Sequence, residues 1–424
     1  MSAPSTPEID AIEPEPPAIS ADLLDPRLIQ ARGPRGYLDA GLAKLRGGDL
    51  GSLPVIIGLI IIVVVFSSMN PRFTDAFNLV NLASQAASVG IIAMGIVLVL
   101  LLGEIDLSVG SVSGVAAALL AVANVSNGYA PFVAVGFAVL GGAFIGLLHG
   151  LVFTKIGVPS FVVTLAGLLA WLGVQLWVLG EQGTINLPPS GVLVDIGQFK
   201  YFQGAPAYAI GLAMVALYLL GQLARARRRK AADLSVQPLW VTLTVTAGLL
   251  VLTMATAYKL SLDRGVPWIF VLLLVIVLTM DWVLRRTRYG RSIFAIGGNI
   301  EAARRAGIRV DAVRISIFVI CSTFAALGGV IAASYGGSAS QASGTGETLI
   351  NAIAAAVIGG TSLFGGRSRM YSALLGALVI TSISNGLALL SLETYLRYVI
   401  TGSILLLAVI IDAASQRGRN KAGR

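Results

Sequence analysis

The chain has 424 residues, of which 56% are hydrophobic and only 12% are charged, and its mean hydropathy is +0.85. Soluble domains carry about 25% charged residues, so this composition excludes a single soluble globular domain. The single cysteine excludes an intramolecular disulfide, and the single histidine leaves a His/Cys metal site with too few ligands. The net charge is +9. Its distribution along the chain is more informative than its total, because the basic residues of membrane proteins concentrate on the cytoplasmic side of the membrane.

The chain begins with a polar segment, residues 1–50. Within the first 17 residues, five prolines stand among four acidic residues, and such a composition cannot bury a core. The basic start and early apolar stretch of a secretory signal are both missing. We therefore expect residues 1–50 to form a disordered cytoplasmic tail.

Continuous apolar runs follow, rich in Leu, Ala, Val and Ile, and a helix needs about 20 such residues to cross a bilayer. Continuous runs favour helices over the alternating strands of a barrel. We place twelve spans at residues 53–67, 82–103, 107–125, 130–153, 158–179, 207–223, 239–258, 266–284, 315–334, 348–363, 370–390 and 395–413. The sequence thus predicts an all-α polytopic membrane protein, with a transmembrane domain over 51–413 and a basic cytoplasmic tail over 414–424.

The distribution of basic residues orients these spans. If the N-terminus is cytoplasmic, the inside segments hold 25 of the 30 lysines and arginines. The outer segments and span ends keep only Arg72, Lys200, Lys259, Arg264 and Arg397. This positive-inside bias predicts that both termini are cytoplasmic.

No catalytic constellation is apparent in the sequence. One histidine excludes most catalytic triads, and we expect His149 to be a packed, hydrogen-bonded core residue. The phosphate-binding pattern Gly-x-x-x-x-Gly-Lys-Ser/Thr does not occur. We therefore predict that the chain is not an enzyme, holds no cofactor, and leaves any ATP chemistry to another subunit. Movement of a solute remains the leading class of function.

Residues 103–111 (Gly-Glu-Ile-Asp-Leu-Ser-Val-Gly-Ser) are the first candidate segment, because two carboxylates lie there between two apolar helices. Carboxylates within a membrane are costly and are functional candidates by default. Asp106 and Ser108 can also cap the following helix. A broken helix that lines a transport pathway and a tight cytoplasmic turn with solvated or capping acids are both compatible with this segment.

Residues 358–366 (Ile-Gly-Gly-Thr-Ser-Leu-Phe-Gly-Gly) form the second segment. Their spacing resembles that of the first, since Gly103, Leu107 and Gly110 align with Gly359, Leu363 and Gly366. This similarity predicts a parallel internal repeat with two equivalent helix breaks. Close helix packing through small residues is the alternative explanation.

The third segment is the cytoplasmic loop 285–314, which is rich in charge. Asn299 is a candidate N-cap of a short helix, Glu301 lies in its first turn, and Gly307 can end it in the left-handed conformation. Ala302, Ala303 and Ala306 would give this helix a small apolar face that suits a groove on a partner. The composition alone favours a solvated basic connector over a docking helix.

Five blocks of the sequence resemble the permease subunits of bacterial ribose/xylose/galactose-type ABC sugar importers. In chain order they are residues 104–111 (Glu-Ile-Asp-Leu-Ser-Val-Gly-Ser), 159–167 (Pro-Ser-Phe-Val-Val-Thr-Leu-Ala-Gly), 289–299 (Tyr-Gly-Arg leading to Ala-Ile-Gly-Gly-Asn), 301–308 (Glu-Ala-Ala-Arg with Gly-Ile) and 357–363 (Val-Ile-Gly-Gly-Thr-Ser-Leu). The first block and the extra hydrophobic pair between 207 and 258 resemble the permeases for D-xylose most closely.

The resemblance implies a multi-pass protein of the bacterial inner membrane, in contact with lipid and with no nucleic-acid partner. Its partners would be a second permease copy, most simply as a homodimer, a cytoplasmic ABC ATPase that carries ATP and Mg, and a periplasmic or extracellular sugar-binding protein. The resemblance also favours docking of the ATPase on loop 285–314 over a solvated connector. The coupling residues would be Asn299, Glu301, Ala302, Ala303, Arg304, Arg305 and Gly307.

The resemblance further implies import of a neutral monosaccharide, D-xylose or another pentose, which needs hydroxyl and amide partners. The candidate pathway residues are Glu104, Asp106, Ser108, Ser111, Asn351, Thr361, Ser362 and Asn385. One departure is clear: where relatives commonly read Glu-Leu-Asp, this chain has Leu-Ile-Asn at 349–351, with Glu347 two positions upstream. A proton-coupled secondary sugar transporter and a membrane scaffold or receptor subunit remain alternatives.

Overall fold

The structure is a computed structural model that describes residues 53–421 except 235, 364 and 367. It consists mainly of helices: α1 Leu53–Met69, α2 Ala76–Leu101, α3 Val109–Ala121, α4 Pro131–Leu151, α5 Ser160–Leu179, α6 Ala205–Lys230, α7 Leu239–Ser261, α8 Trp268–Arg286, α9 Arg288–Gly298, α10 Ile300–Arg305, α11 Val310–Gly336, α12 Glu347–Ile358, α13 Met370–Leu389 and α14 Thr394–Lys421. Single π-helical turns extend α3 to Ser126 and α4 to Ile156.

The predicted all-α polytopic fold is confirmed. Among the described residues, nine helices are long and apolar enough to cross a membrane, and α1, α12 and the first part of α14 are shorter apolar helices. These twelve helices overlap the twelve predicted spans, although α2 begins at Ala76 and not at 82, α6 ends at Lys230 and not at 223, and α14 ends at Lys421 and not at 413. The predicted N-terminal tail, residues 1–50, lies outside the described residues. Helix α14 continues to Lys421, into the segment predicted as the basic tail.

The end of one predicted span lies within the second candidate segment and differs from the structure. Span 348–363 was expected to continue through the glycine pair, but α12 ends at Ile358. Gly360 has φ +98°, a left-handed conformation that ends the helix there.

Short strands occur in the predicted outer loops, whose structure the sequence analysis did not predict. Strand β1 (Thr184–Asn186) pairs antiparallel with β4 (Ser338–Ser340). Strand β2 (Tyr201–Phe202) pairs antiparallel with β3 (Val266–Pro267). Each ladder joins two loops that are far apart in the sequence, and so ties together the outer ends of the helices that flank them.

The described residues divide into two compact units. The smaller one, Ile210–Met254, contains most of α6 and α7, and its Gly211 lies against Met254. The larger one contains every residue that the sequence analysis proposed as a site residue. The functional geometry described below belongs entirely to this larger unit.

Helix α11 is central in the larger unit, where it packs against α2, α3 and α4. A stripe of glycines on α4 makes part of this packing possible. Gly142 lies against the backbone of Ser322, Gly146 against that of Phe318, and Gly150 against that of Ile315. Small residues at four-residue spacing let two membrane helices approach to backbone contact, so this stripe fixes α4 on α11.

We expect Gly146→Ala to lower the stability of the protein by about 1–3 kcal/mol, because its Cβ would collide with the backbone of α11. Gly136→Ala is the matched control on the same helix, since no atom lies within 4 Å of a Cβ built there. Thermal unfolding in detergent measures both variants. Equal melting temperatures for the two variants would contradict the packing described.

Candidate functional site

Helices α2 and α12 end in the same type of turn. After α2, Gly103 has φ +77° and Glu104 N donates to Val99 O at 3.2 Å. After α12, Gly360 has φ +98° and Thr361 N donates to Ala356 O at 3.1 Å. In each case the residue after a left-handed glycine bonds to a carbonyl five positions earlier, which is the Schellman pattern of a helix end.

This correspondence corrects the predicted alignment of the two segments by one residue. Gly103 matches Gly360 in conformation, whereas Gly359, its predicted equivalent, has φ −61°. Gly110 lies inside α3, whereas Gly366 has φ +73° in the loop before α13. Glycine spacing alone produced the wrong alignment, because glycine allows close packing at one position and a left-handed turn at another.

Glu104 connects three elements of the fold. Its Oε1 accepts from Arg314 Nη2 at 2.9 Å, and its Oε2 accepts from Ser160 Oγ at 2.7 Å. The Glu104 and Arg314 side chains are only 15% and 16% exposed. The Arg314 guanidinium also lies 4.8 Å from the centre of the Phe153 ring. The carboxylate thus joins the end of α2 to the start of α5 and to the cytoplasmic end of α11.

Asp106 is buried and therefore does not form a solvated turn. Its Oδ1 accepts from Ser108 N at 2.8 Å and from Ser108 Oγ at 2.6 Å, and so organises the start of α3. Its Oδ2 accepts no hydrogen bond from the described residues. A buried carboxylate oxygen without a donor is an available acceptor beside the break between α2 and α3.

His149 is the packed, hydrogen-bonded histidine that we expected. Its Nε2 accepts from Trp171 Nε1 at 2.8 Å, which places the ring proton on Nδ1. Nδ1 lies 3.4 Å from Ser108 Oγ, so the imidazole continues the network that begins at Asp106. No local sequence pattern pointed to Trp171, because its contact with His149 joins two different helices.

The three predicted segments meet at the end of α2. Gly366 N, in the loop before α13, donates to Leu101 O at 3.0 Å. Gly297, near the end of α9, lies against the same oxygen, where a Cβ would collide with it. Gly365 approaches the backbone of Gly103 and of Gly297. Both helix breaks and the cytoplasmic loop therefore share one backbone contact.

Other predicted pathway residues make internal hydrogen bonds. Ser111 Oγ donates to Ser108 O at 2.9 Å, and Thr361 Oγ1 lies 2.7 Å from Ser368 Oγ. Asn385 exchanges two amide hydrogen bonds, of 2.8 and 2.9 Å, with Asn78. Ser362 is buried near Thr361. Asn351 lies apart from these residues, on a cavity formed by α12, α13 and α14.

The short cytoplasmic helix has the predicted caps. Asn299 Oδ1 accepts from Ala302 N at 2.9 Å at the start of α10, and Gly307 follows the helix with φ +81°. Exposed Glu301 and Arg304 form a 2.8 Å ion pair. Arg305 is exposed as well.

The prediction that three alanines form one exposed apolar face is wrong for Ala303. Ala303 is buried in the core of this chain, and only Ala302 and Ala306 are exposed. Adjacent residues of a helix point about 100° apart, so Ala303 leaves the face that Ala302 and Ala306 share and turns toward the core. Ala302 and Ala306 are four residues apart and remain available to a partner.

A hydrogen bond also anchors the cytoplasmic loop on α11. Tyr289 Oη lies 2.6 Å from Ser316 Oγ, and burial raises the pKa of the Tyr289 phenol, which keeps it protonated. Next to α10 an open groove of about 440 Å³ is lined by Lys155, Arg304, Arg309 and Asp311. Three of these four side chains are basic, so the groove favours an acidic surface.

These features define a polytopic helical membrane protein whose cytoplasmic loop is in direct contact with two helix breaks. The model of the family described as "Branched-chain amino acid transport system / permease component" matches residues 78–409. The chain belongs to this permease family. No solved structure matches the chain.

Curated relatives cover nearly the whole chain. The xylose transport system permease protein XylH of Haemophilus influenzae is 35% identical over 375 residues, which are 88% of this chain and 99% of the relative. XylH of Escherichia coli K12 is 34% identical over 378 residues, 89% and 95% of the two chains. The ribose import permease protein RbsC of Bacillus subtilis is 32% identical over 365 residues, 86% and 94%.

The comparisons confirm the resemblance on which the sequence analysis depended. These relatives are permeases and not enzymes. Together with the nine candidate spans among the described residues, they make this chain a multi-pass protein of the inner membrane.

We expect Glu104→Gln and Arg314→Gln each to lower the free energy of unfolding by about 1–3 kcal/mol, since each leaves a shielded charge without its partner. In a double-mutant cycle their coupling should exceed about 1 kcal/mol. The Lys155–Asp311 pair, with side chains 61% and 47% exposed, is the control and should couple by less than this. Denaturant unfolding in detergent gives both values, and equal coupling in the two pairs would refute a special role for Glu104.

Proposed function

We propose that this chain is the membrane-spanning permease subunit of an ATP-binding-cassette importer that carries a monosaccharide, D-xylose or another pentose, into the cytoplasm. The named relatives support the class of solute, because they are permeases for xylose and for ribose. The observation that carries the proposal is the contact of Leu101 with Gly297 and Gly366, which connects the cytoplasmic loop to both helix breaks.

In this proposal the cytoplasmic loop is the docking site of the ATPase subunit. Helix α10 presents Ala302, Arg305 and the Glu301–Arg304 pair to the cytoplasm, and the basic groove beside it accepts acidic residues of the ATPase. ATP and Mg act on that subunit, outside this chain. When the ATPase moves, it displaces α9 and α10, and the shared backbone contact transmits the displacement to the ends of α2 and α12.

The pathway beside the helix breaks suits a neutral polyol. Asp106 Oδ2 is an available acceptor, and the buried hydroxyls of Ser108, Ser111, Thr361 and Ser362 lie on the two breaks. Hydroxyl groups both donate and accept, as do the hydroxyls of a sugar. The proposal also includes a second copy of the chain and a sugar-binding protein that docks on the outer face.

Sugar-stimulated ATP hydrolysis tests this function. The full chain, its candidate ATPase and a panel of sugar-loaded binding proteins are reconstituted in proteoliposomes, and ATP hydrolysis and sugar uptake are measured together. Stimulation by a binding protein loaded with a pentose is the expected result and names the sugar. Uptake by this chain alone, abolished by an uncoupler, would instead indicate proton-coupled transport.

We expect Gly307→Pro to abolish this stimulation, because proline requires φ near −65° whereas Gly307 has φ +81°. Proline also removes the donor of the 3.0 Å hydrogen bond from Gly307 N to Arg304 O. Gly307→Asn is the matched control, since asparagine tolerates the left-handed region and no atom lies within 4 Å of its Cβ. Co-purification of the ATPase and its stimulated rate are measured, and stimulation of the proline variant at the level of wild type would exclude α10 as the coupling element.

A further inference from the structure

A cavity of about 200 Å³ lies between α12, α13 and α14. Its polar lining consists of Glu347, Asn351, Ser384, Arg397, Tyr398 and Thr401. Of these, only Asn351 was singled out by the sequence analysis as a pathway residue. The cavity is separate from the helix breaks at Asp106 and Thr361.

The cavity lies at the outer ends of its three helices. With both termini in the cytoplasm, α12 and α14 begin on the outer side and α13 ends there. Glu347 is the first residue of α12, Arg397 lies in the first turn of α14, and Ser384 lies in the last two turns of α13. A solute that enters from outside meets these side chains before it reaches the helix breaks.

The polar side chains of the cavity have hydrogen-bonding capacity that the protein does not use. Among the described residues, the carboxylate of Glu347, the amide of Asn351 and the hydroxyl of Ser384 make no hydrogen bond or ion pair. Nearby hydroxyls behave differently: Thr381 Oγ1 donates to Ala377 O at 2.6 Å, and Ser403 Oγ to Val399 O at 2.7 Å.

The side chains that α14 contributes to the cavity also have hydrogen-bonding groups that the protein does not use. Arg397 uses Nε to donate to Leu392 O at 3.0 Å, and no described carboxylate pairs with its guanidinium. Neither the Tyr398 nor the Thr401 hydroxyl makes a hydrogen bond within the described chain. The cavity therefore offers a carboxylate acceptor, an amide, guanidinium donors and three hydroxyls to a single occupant.

This combination fits a neutral ring sugar. Each sugar hydroxyl donates and accepts, so it matches a mixed lining better than a phosphate or a lone cation would. The Tyr398 ring adds an apolar face whose negative quadrupole attracts the positively polarised C–H groups of a sugar ring. A pentose occupies the volume of roughly five water molecules, about 150 Å³, which the cavity can hold.

Glu347 and Asn351 lie side by side on the α12 wall of the cavity. Positions 347 and 351 lie one turn apart on one face of α12, and both line the cavity. Glu347 and Asn351 therefore present a carboxylate and an amide to the same cavity.

We propose that this cavity is the first subsite for the transported monosaccharide in the permease, with Glu347 and Asn351 on one wall and Arg397 and Tyr398 on the other. The inference rests on the proposed sugar-import function and adds a site to it. Glu347 accepts hydrogen bonds from sugar hydroxyls, Arg397 donates to sugar oxygens, and Asn351 does both.

The test compares sugar uptake with ATP hydrolysis in proteoliposomes that contain the full importer and its sugar-loaded binding protein. Glu347→Gln should lower uptake about tenfold, because the loss of one hydrogen bond to a charged acceptor weakens binding by about that factor. Stimulation of ATP hydrolysis should be unchanged, so fewer sugar molecules are imported per ATP. Glu393→Gln is the control, because Glu393 is exposed near the start of α14 and does not line the cavity.

A rescue variant separates a sugar-binding role from a structural one. Glu347→Gln combined with Asn351→Asp moves the carboxylate by one turn within the cavity and should restore uptake to within about threefold of wild type. Uptake by Glu347→Gln equal to that of Glu393→Gln overturns the subsite, and so does a loss of uptake that the second substitution fails to rescue. An equal loss of ATP hydrolysis and uptake also overturns it, because docking is then affected. If the wild-type importer moves no sugar, the proposed function itself fails.

Discussion

The arrangement of the cytoplasmic side depends on the contacts that the carbonyl oxygen of Leu101 makes. This oxygen accepts a hydrogen bond from Gly366 N, and Gly297 lies directly against it in a space that no side chain could share. Because three separate segments meet backbone to backbone, α9 cannot shift without displacing the end of α2. The Glu104–Arg314 ion pair reinforces this arrangement through a shielded charge interaction with α11. In the proposed function, backbone contacts of this kind, and not flexible side chains, transmit a displacement of the loop to the membrane helices.

Much of the fold could be predicted from the sequence because a bilayer imposes a simple length and polarity rule on helices. The twelve apolar runs became twelve helices, and the caps of α10 at Asn299 and Gly307 followed from local chemistry. The strands in the outer loops were missed, since β1 has only three residues and its partner lies far away in the sequence. The end of α12 was missed because a glycine pair is compatible with both a helix and a turn.

The sequence singled out residues of the candidate site but not the side chains that they contact. Glu104 and Asp106 stood out because carboxylates are rare in apolar surroundings. Nothing in the local sequence paired Glu104 with Arg314 or His149 with Trp171, because these contacts join different helices. The burial of Ala303 was not predicted either, because the local sequence does not show which face of a short helix packs against the rest of the protein. The lining of the outer cavity is likewise a product of tertiary packing, as three helices contribute to it.

The β1–β4 ladder has a mechanical consequence for α11. The outer end of this helix leads directly into β4, which is held by β1 and by Gln175 Nε2, a donor to Ser340 O at 2.9 Å. Its inner end carries Arg314, about 33 Å away at 1.5 Å per residue. If α11 tilts about this outer end together with the helices packed on it, its inner end moves the farthest. A tilt of about 5° around the outer pivot moves the inner end by about 3 Å over that length, and a displacement of this size is enough to separate Arg314 from Glu104.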